Sequence, residues 1–178
     1  MTEKQFLDLY KETKEALNAR SANVFNAGRA MAERYLTEKG MPTKKDEAYL
    51  YCPLFDALNI NWGVNINRLQ SNINEENLFH CAVPGIKTSS VYFTNDTWRG
   101  NDCIDLGNGA IACSMQYASI HYNDILNKYY GTVLQEEIDG FSALNALIVQ
   151  DGIFIYIPKG VKVQLPIQVL NVMFASGE

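Results

Sequence analysis

The chain has 178 residues, 47% hydrophobic and 20% charged, with 15 Lys and Arg against 20 Asp and Glu for a net charge of −5. A chain of this size can bury about 70% of its extended surface, so its core needs neither disulfides nor metal, and its apolar content argues against disorder. The acidic balance speaks against a nucleic-acid module, and no apolar run reaches the roughly 18 residues of a membrane helix.

Charge is unevenly placed. Residues 1–50 carry nine basic and eight acidic side chains, whereas residues 51–178 carry six and twelve. In the first segment Phe6, Tyr10, Thr13 and Leu17 recur at three- and four-residue spacing, which predicts a helix ending at Arg20-Ser21. Ser21 is the candidate N-cap of a second helix, with Val24, Met31, Tyr35 and Leu36 as its apolar face. Gly40 suits its C′ position and Pro42 opposes continuation. Thr43 through Tyr51 predicts a third short helix, with Thr43 as cap and Asp46 at the third helical position. The asparagine-rich stretch Asn59 to Asn77 reads as loop or very short strand.

Strand signals begin near residue 88. Ser90-Val91-Tyr92-Phe93 is one candidate strand, and Ala110-Ile111-Ala112-Cys113 is another, entered through the turn Gly107-Asn108-Gly109. Residues 118–130 return to helical spacing, and Asp139 or Ser142 can cap a helix through Leu144, Leu147 and Ile148. Gly152 to Pro158 is a nearly continuous apolar strand, expected to be covered on both faces. Pro158-Lys159-Gly160 turns the chain, and Ile167 through Phe174 forms a last strand. A chain that stops so soon after a long apolar strand is expected to be part of a larger fold.

Chemistry-bearing residues are sparse. Cys52, Cys81, Cys103 and Cys113 show no two-residue metal spacing and read as buried small side chains. His80 adjoins Cys81, but strand neighbours point to opposite faces, and His121 reads as a packed or surface histidine. Glu75-Glu76 and Glu136-Glu137 lack the apolar flanks that raise a catalytic carboxylate's pKa and read as solvated. Gly107-Asn108-Gly109 is too short for a dinucleotide loop. The residues therefore predict no catalytic, cofactor-binding or metal site, and no enzyme. Met1-Thr2-Glu3-Lys4-Gln5 lacks the apolar core of a signal peptide, which predicts a cytoplasmic protein with reduced cysteines. Asn95-Asp96-Thr97 then matches the glycosylation sequon by chance.

Two passages resemble a known family. Gly40-Met41-Pro42-Thr43-Lys44-Lys45-Asp46-Glu47-Ala48-Tyr49-Leu50-Tyr51 resembles the N-terminal signature of the SufD branch of the SufB/SufD family, which serves iron–sulfur cluster assembly. Asp139 to Leu147, Asp151 to Val161 and Pro166-Ile167-Gln168 are similar to the passage by which that family enters its β-helical core. Where the family often has Trp-Lys, this chain has Tyr49-Leu50. The resemblance implies an α+β chain: a helical segment over 1–55, a mixed strand and helix connector over 56–138, and the first strands of a truncated right-handed parallel β-helix over 139–178. It also implies a non-catalytic SufD-like subunit working with SufB-like and SufC-like partners, with no contact to nucleic acid or membrane. A cluster belongs to the full assembly complex, and this segment alone is expected to bind none. An uncapped β-helix rung would expose an apolar edge, which predicts self-association through residues 153–174. The competing reading is a carbohydrate-binding or polysaccharide-processing β-helix protein, in which Tyr117, Tyr122, Tyr129 and Tyr130 would stack on sugars; their spacing suits helix packing equally well.

Overall fold

The computed structural model describes residues 3–52, 83–133 and 139–173. It divides into two compact units, each built from two stretches of chain: Met1–Ile66 with Tyr122–Gln150, and Asn67–His121 with Asp151–Glu178.

The first unit is helical. Helix α1 spans Glu3–Arg20 and α2 spans Asn23–Lys39, followed by a 3-10 turn at Glu47–Tyr49. Helix α4 (Asn123–Tyr129) and helix α5 (Gly140–Ile148) also belong to it. The predicted stripe of α1 faces inward, with Phe6, Tyr10 and Leu17 buried among Ala32 and Leu36 of α2 and Ala143, Leu144 and Leu147 of α5. Fully burying leucines such as Leu36 or Leu147 stabilises the unit by about 1.5–3 kcal/mol each. The inward face of α2 agrees with the predicted one at Leu36 and at the partly buried Tyr35, and differs elsewhere. Phe25, Arg29, Ala32 and Leu36 are buried, while Met31 is 54% exposed. Ser21 is not the cap either. Ala22 occupies that position, and the Ser21 hydroxyl donates back to the Leu17 carbonyl at 2.6 Å. Gly40 closes α2 as predicted, at φ 71°, with its N–H donating to Leu36. The predicted third helix shrinks to three residues, although its capping chemistry is present: Asp46 Oδ2 accepts from the Thr43 N–H at 2.5 Å and from its hydroxyl at 2.9 Å.

Among the described residues the strands lie in the second unit. They are β1 (Ser89–Thr94), β2 (Thr97–Arg99), β3 (Cys103–Gly107), β4 (Ala110–Ser114), β5 (Ile153–Tyr156) and β6 (Ile167–Val172), with helix α3 (Met115–His121) after β4. Two three-stranded sheets result, in the orders β2-β1-β6 and β3-β4-β5. The β1–β2 hairpin turns on Asn95 and Asp96, both at positive φ (45° and 61°). Two residues of that conformation match the twist of the paired strands. The glycosylation-like triplet is therefore a hairpin turn. Asn108 and Gly109 turn β3 into β4 in the same way, at φ 54° and 80°. Val91, Leu106, Ala110 and Ala112 form the core between the sheets, with Trp98, Ile153, Val161 and Ile167 packed around them.

The α+β composition stands, but the expected β-helix does not. Strand β5 pairs antiparallel with β4, while β6 pairs parallel with β1 in the other sheet, so the two are not successive rungs of a solenoid. The apolar run misled because composition fixes neither burial nor pairing. Phe154 is buried, yet Ile155 is 41% and Ile157 46% exposed, so this run is not covered on both faces. The expected self-association through residues 153–174 rested on an uncapped rung, and the observed pairing removes that basis.

Candidate interaction site at the signature junction

The first unit brings the Gly40–Tyr51 passage onto the opening stretch of the second family-like passage, Asp139 to Leu147. Asp139 is the N-cap of α5, and its Oδ1 accepts from the Ser142 N–H at 2.8 Å. Its other oxygen accepts a hydrogen bond from the Tyr49 hydroxyl, 90 residues away in sequence. The Tyr49 ring lies 5.3 Å from that of Phe141, the second residue of α5. One turn therefore docks on the N-terminus of one helix through a shared carboxylate and a ring contact.

This arrangement shifts both partners. The bond to Asp139 and, secondarily, desolvation push the Tyr49 phenol up to about 12. Burial pulls the Asp139 carboxyl upward, but hydrogen bonds from Ser142, Tyr49 and the Phe141 backbone outweigh it, so the group is held below its usual range. Gly140 is required by close approach. A Cβ there would lie 2.7 Å from the Gly40 carbonyl oxygen and Pro42 Cδ, and 2.8 Å from Met41 Cα. Gly40-Met41-Pro42 thus packs directly on the first turn of α5.

Arg29 supports the other end of that helix. Its guanidinium is 1% exposed and donates to the Leu147 carbonyl, to the Val149 carbonyl at 2.7 Å and to Ser21 Oγ at 2.6 Å. Its Nε donates to Asn26 Oδ1 at 3.1 Å. A cation at the negative end of a helix is favourable, and it satisfies carbonyls that α5 leaves open. Burial pulls the guanidinium down from its ordinary value, partly offset by Tyr10 and Tyr130. Sequence reading missed Arg29 because hydrophobic periodicity skips charged residues; the available signal was an arginine four residues beyond Phe25 and three before Ala32.

With Tyr49 fixed, the next two residues face outward. Leu50 is 52% and Tyr51 94% exposed, and Lys44 and Lys45, earlier in the same passage, are exposed as well. Both the apolar body and the hydroxyl of Tyr51 are therefore open to solvent.

The other candidates do not converge. Cys52 is half-buried; Cys103 on β3 is half-buried and lies opposite the fully buried Cys113 on β4. Burial, with Cys103 and Asp151 nearby, pushes the Cys113 thiol up to about 12. His121 is exposed and stacks on Tyr117 with ring centres 4.1 Å apart. Tyr130 meets Phe25 edge-on at 5.4 Å, and Lys128 lies over Tyr129. Cys81, His80, Glu75-Glu76 and Glu136-Glu137 lie outside the described residues. Among the described residues no three His, Cys, Asp or Glu side chains gather as a metal ion would require, and no helix is long and apolar enough to cross a membrane.

The family profile described as the SufBD protein N-terminal region matches residues 1–169. The chain belongs to the SufBD family. Local matches to curated SufBD proteins agree. A chloroplastic iron–sulfur cluster assembly SufBD family protein of Arabidopsis thaliana is 39% identical over 59 residues, covering 33% of this chain and 11% of the relative. One from Synechocystis is 43% identical over 54 residues, covering 30% and 11%. One from Mycobacterium tuberculosis is 47% identical over 45 residues, covering 25% and 5%. The matched segments are thus a small share of these SufBD relatives' own length, and the profile does not separate SufB from SufD. The carbohydrate reading gains no support from this match.

Proposed function

We propose that this SufBD chain is a SufD-like, non-catalytic part of an iron–sulfur cluster assembly scaffold, acting in the cytoplasm with SufB-like and SufC-like proteins. The carrying observation is the signature junction: Tyr49 and Gly140 lock a turn onto α5, and the adjoining Leu50 and Tyr51 remain exposed. A rigid turn that presents an aromatic side chain suits binding, because little conformational entropy is lost when the partner docks. The polar groups at the junction are engaged in capping and docking, which supports a structural rather than a chemical role. The cluster is cargo of the full complex, and this chain alone binds none.

Co-expression with SufB-like and SufC-like proteins and recovery through a tag on this chain tests the reading. Retention of both partners is expected, and recovery of this chain alone contradicts it. Anaerobic incubation of the chain by itself with iron and sulfide is expected to leave no stoichiometric visible absorption; a bound chromophore would overturn the non-binding role.

A further inference from the structure

The two cysteines of the β3–β4 hairpin have an arrangement that neither family membership nor the proposed scaffold role uses. Cys103 and Cys113 are direct cross-strand partners in the antiparallel ladder. Such partners have Cα atoms about 4.5–5.5 Å apart, inside the roughly 4.4–6.8 Å range that a disulfide accepts. As direct cross-strand partners their side chains leave the sheet on the same face. Both are free thiols. Access is asymmetric: Cys113 is fully buried on the central strand, whereas Cys103 is half-buried on the sheet's outer strand.

From this geometry we infer that Cys103 and Cys113 form a reversible thiol-modification site that takes a low-molecular-weight disulfide as oxidant. The Cys103 sulfur, as thiolate, attacks one sulfur of the small disulfide; a mixed disulfide forms and one small thiolate leaves, taking a proton from water. Cys113 then loses its proton to water, and its sulfur attacks the Cys103 sulfur, expelling the second small thiolate. Two protein thiols become one disulfide, and the two electrons reduce the small disulfide to two thiols. Burial of Cys113 makes the second step the slower one. The bridge ties the outer strand to the central strand, so the oxidised protein resists opening of this hairpin.

The test uses the full chain equilibrated in a buffer of oxidised and reduced glutathione, quenched with acid, alkylated and mapped by mass spectrometry. The expected product links the Cys103 and Cys113 peptides, has lost the mass of two hydrogens, reverts with excess reductant and melts at a higher temperature than the reduced chain. Cys113→Ala is expected to stop at a single glutathione adduct on Cys103, and Cys103→Ser to leave Cys113 unmodified. Should Cys113→Ala fail to fold, the wild-type map and Cys103→Ser decide alone. Linkage to Cys52 or Cys81 instead, a wild-type chain that stays at the mixed disulfide, or two thiols still free after equilibration would each overturn the inference.

Discussion

Replacing Arg29 by methionine probes the packing that holds the signature junction in place. The change keeps a long unbranched stem but deletes four hydrogen bonds, all to neutral oxygens. The Leu147 and Val149 carbonyls lose this charged donor; a buried carbonyl left without a partner costs about 1–3 kcal/mol, and Val149, half-buried with Ser21 Oγ at 3.4 Å, lies at the low end. The Ser21 hydroxyl keeps its bond to Leu17, so it adds little. Against that loss stands relief from burying a guanidinium, the effect that makes some apolar replacements of buried charges stabilising. The hydrogen bonds should win here, because Arg29 completes a helix C-terminus whose dipole also favours the cation. The expected net loss is about 3 kcal/mol, equivalent to a fall in Tm of roughly 6–12 °C for a chain of this size. Urea unfolding followed by circular dichroism measures it, with an unchanged m-value confirming that the denatured state is not responsible. Arg29→Lys, which keeps the charge but not the fork, should fall between the two. A methionine variant within about 0.5 kcal/mol of wild type, or more stable, would refute the reasoning.

Further predictions concern the junction itself. Tyr49→Phe should cost about 1 kcal/mol in urea unfolding by removing the bond to Asp139, and Asp139→Asn should return the phenol from about 12 toward its ordinary value in an ultraviolet titration. Because the folded Tyr49 pKa is raised, its contribution is complete below about pH 10 and is lost as pH rises toward 12; because that of Asp139 is depressed, its contribution is present above about pH 4 and is lost as pH falls. Stability measured across pH should therefore decline at both ends, and less so in Tyr49→Phe. Gly140→Ala should lower stability by about 1–3 kcal/mol despite alanine's better helix propensity, since its Cβ meets backbone at 2.7 Å; a stabilised variant would refute the close approach. Tyr51→Ala, at a side chain 94% exposed, should leave Tm unchanged while weakening retention of a SufB-like partner.

Much of the local structure was legible in the residues, and little of the long-range pairing. The stripe of α1, the glycine stop at Gly40, the Asp139 cap and strands β1 and β4 each follow from spacing or cap chemistry within a few residues. Strand β2 escaped notice because three residues are too few for an alternation to register, and β3 because Asp105 interrupts its apolar run beside a bulge. The β-helix expectation failed for another reason: β6 finds β1 across more than 70 residues, and nothing in an apolar run names its neighbour. The junction was half visible. Both passages stood out by resemblance, but their meeting through Tyr49, Asp139 and Gly140 depends on a fold that brings a turn to a helix end 90 residues away.

On the proposed function, the exposed edge of the signature turn contacts the assembly partner. The direct measurement is calorimetric titration of a SufB-like protein with wild-type chain and with a Leu50→Ser, Tyr51→Ala double variant. Wild type is expected to bind saturably and the variant at least about tenfold more weakly, with equal melting temperatures for the two chains. Equal affinities would contradict the assigned surface, and no binding by wild type would contradict the scaffold role itself.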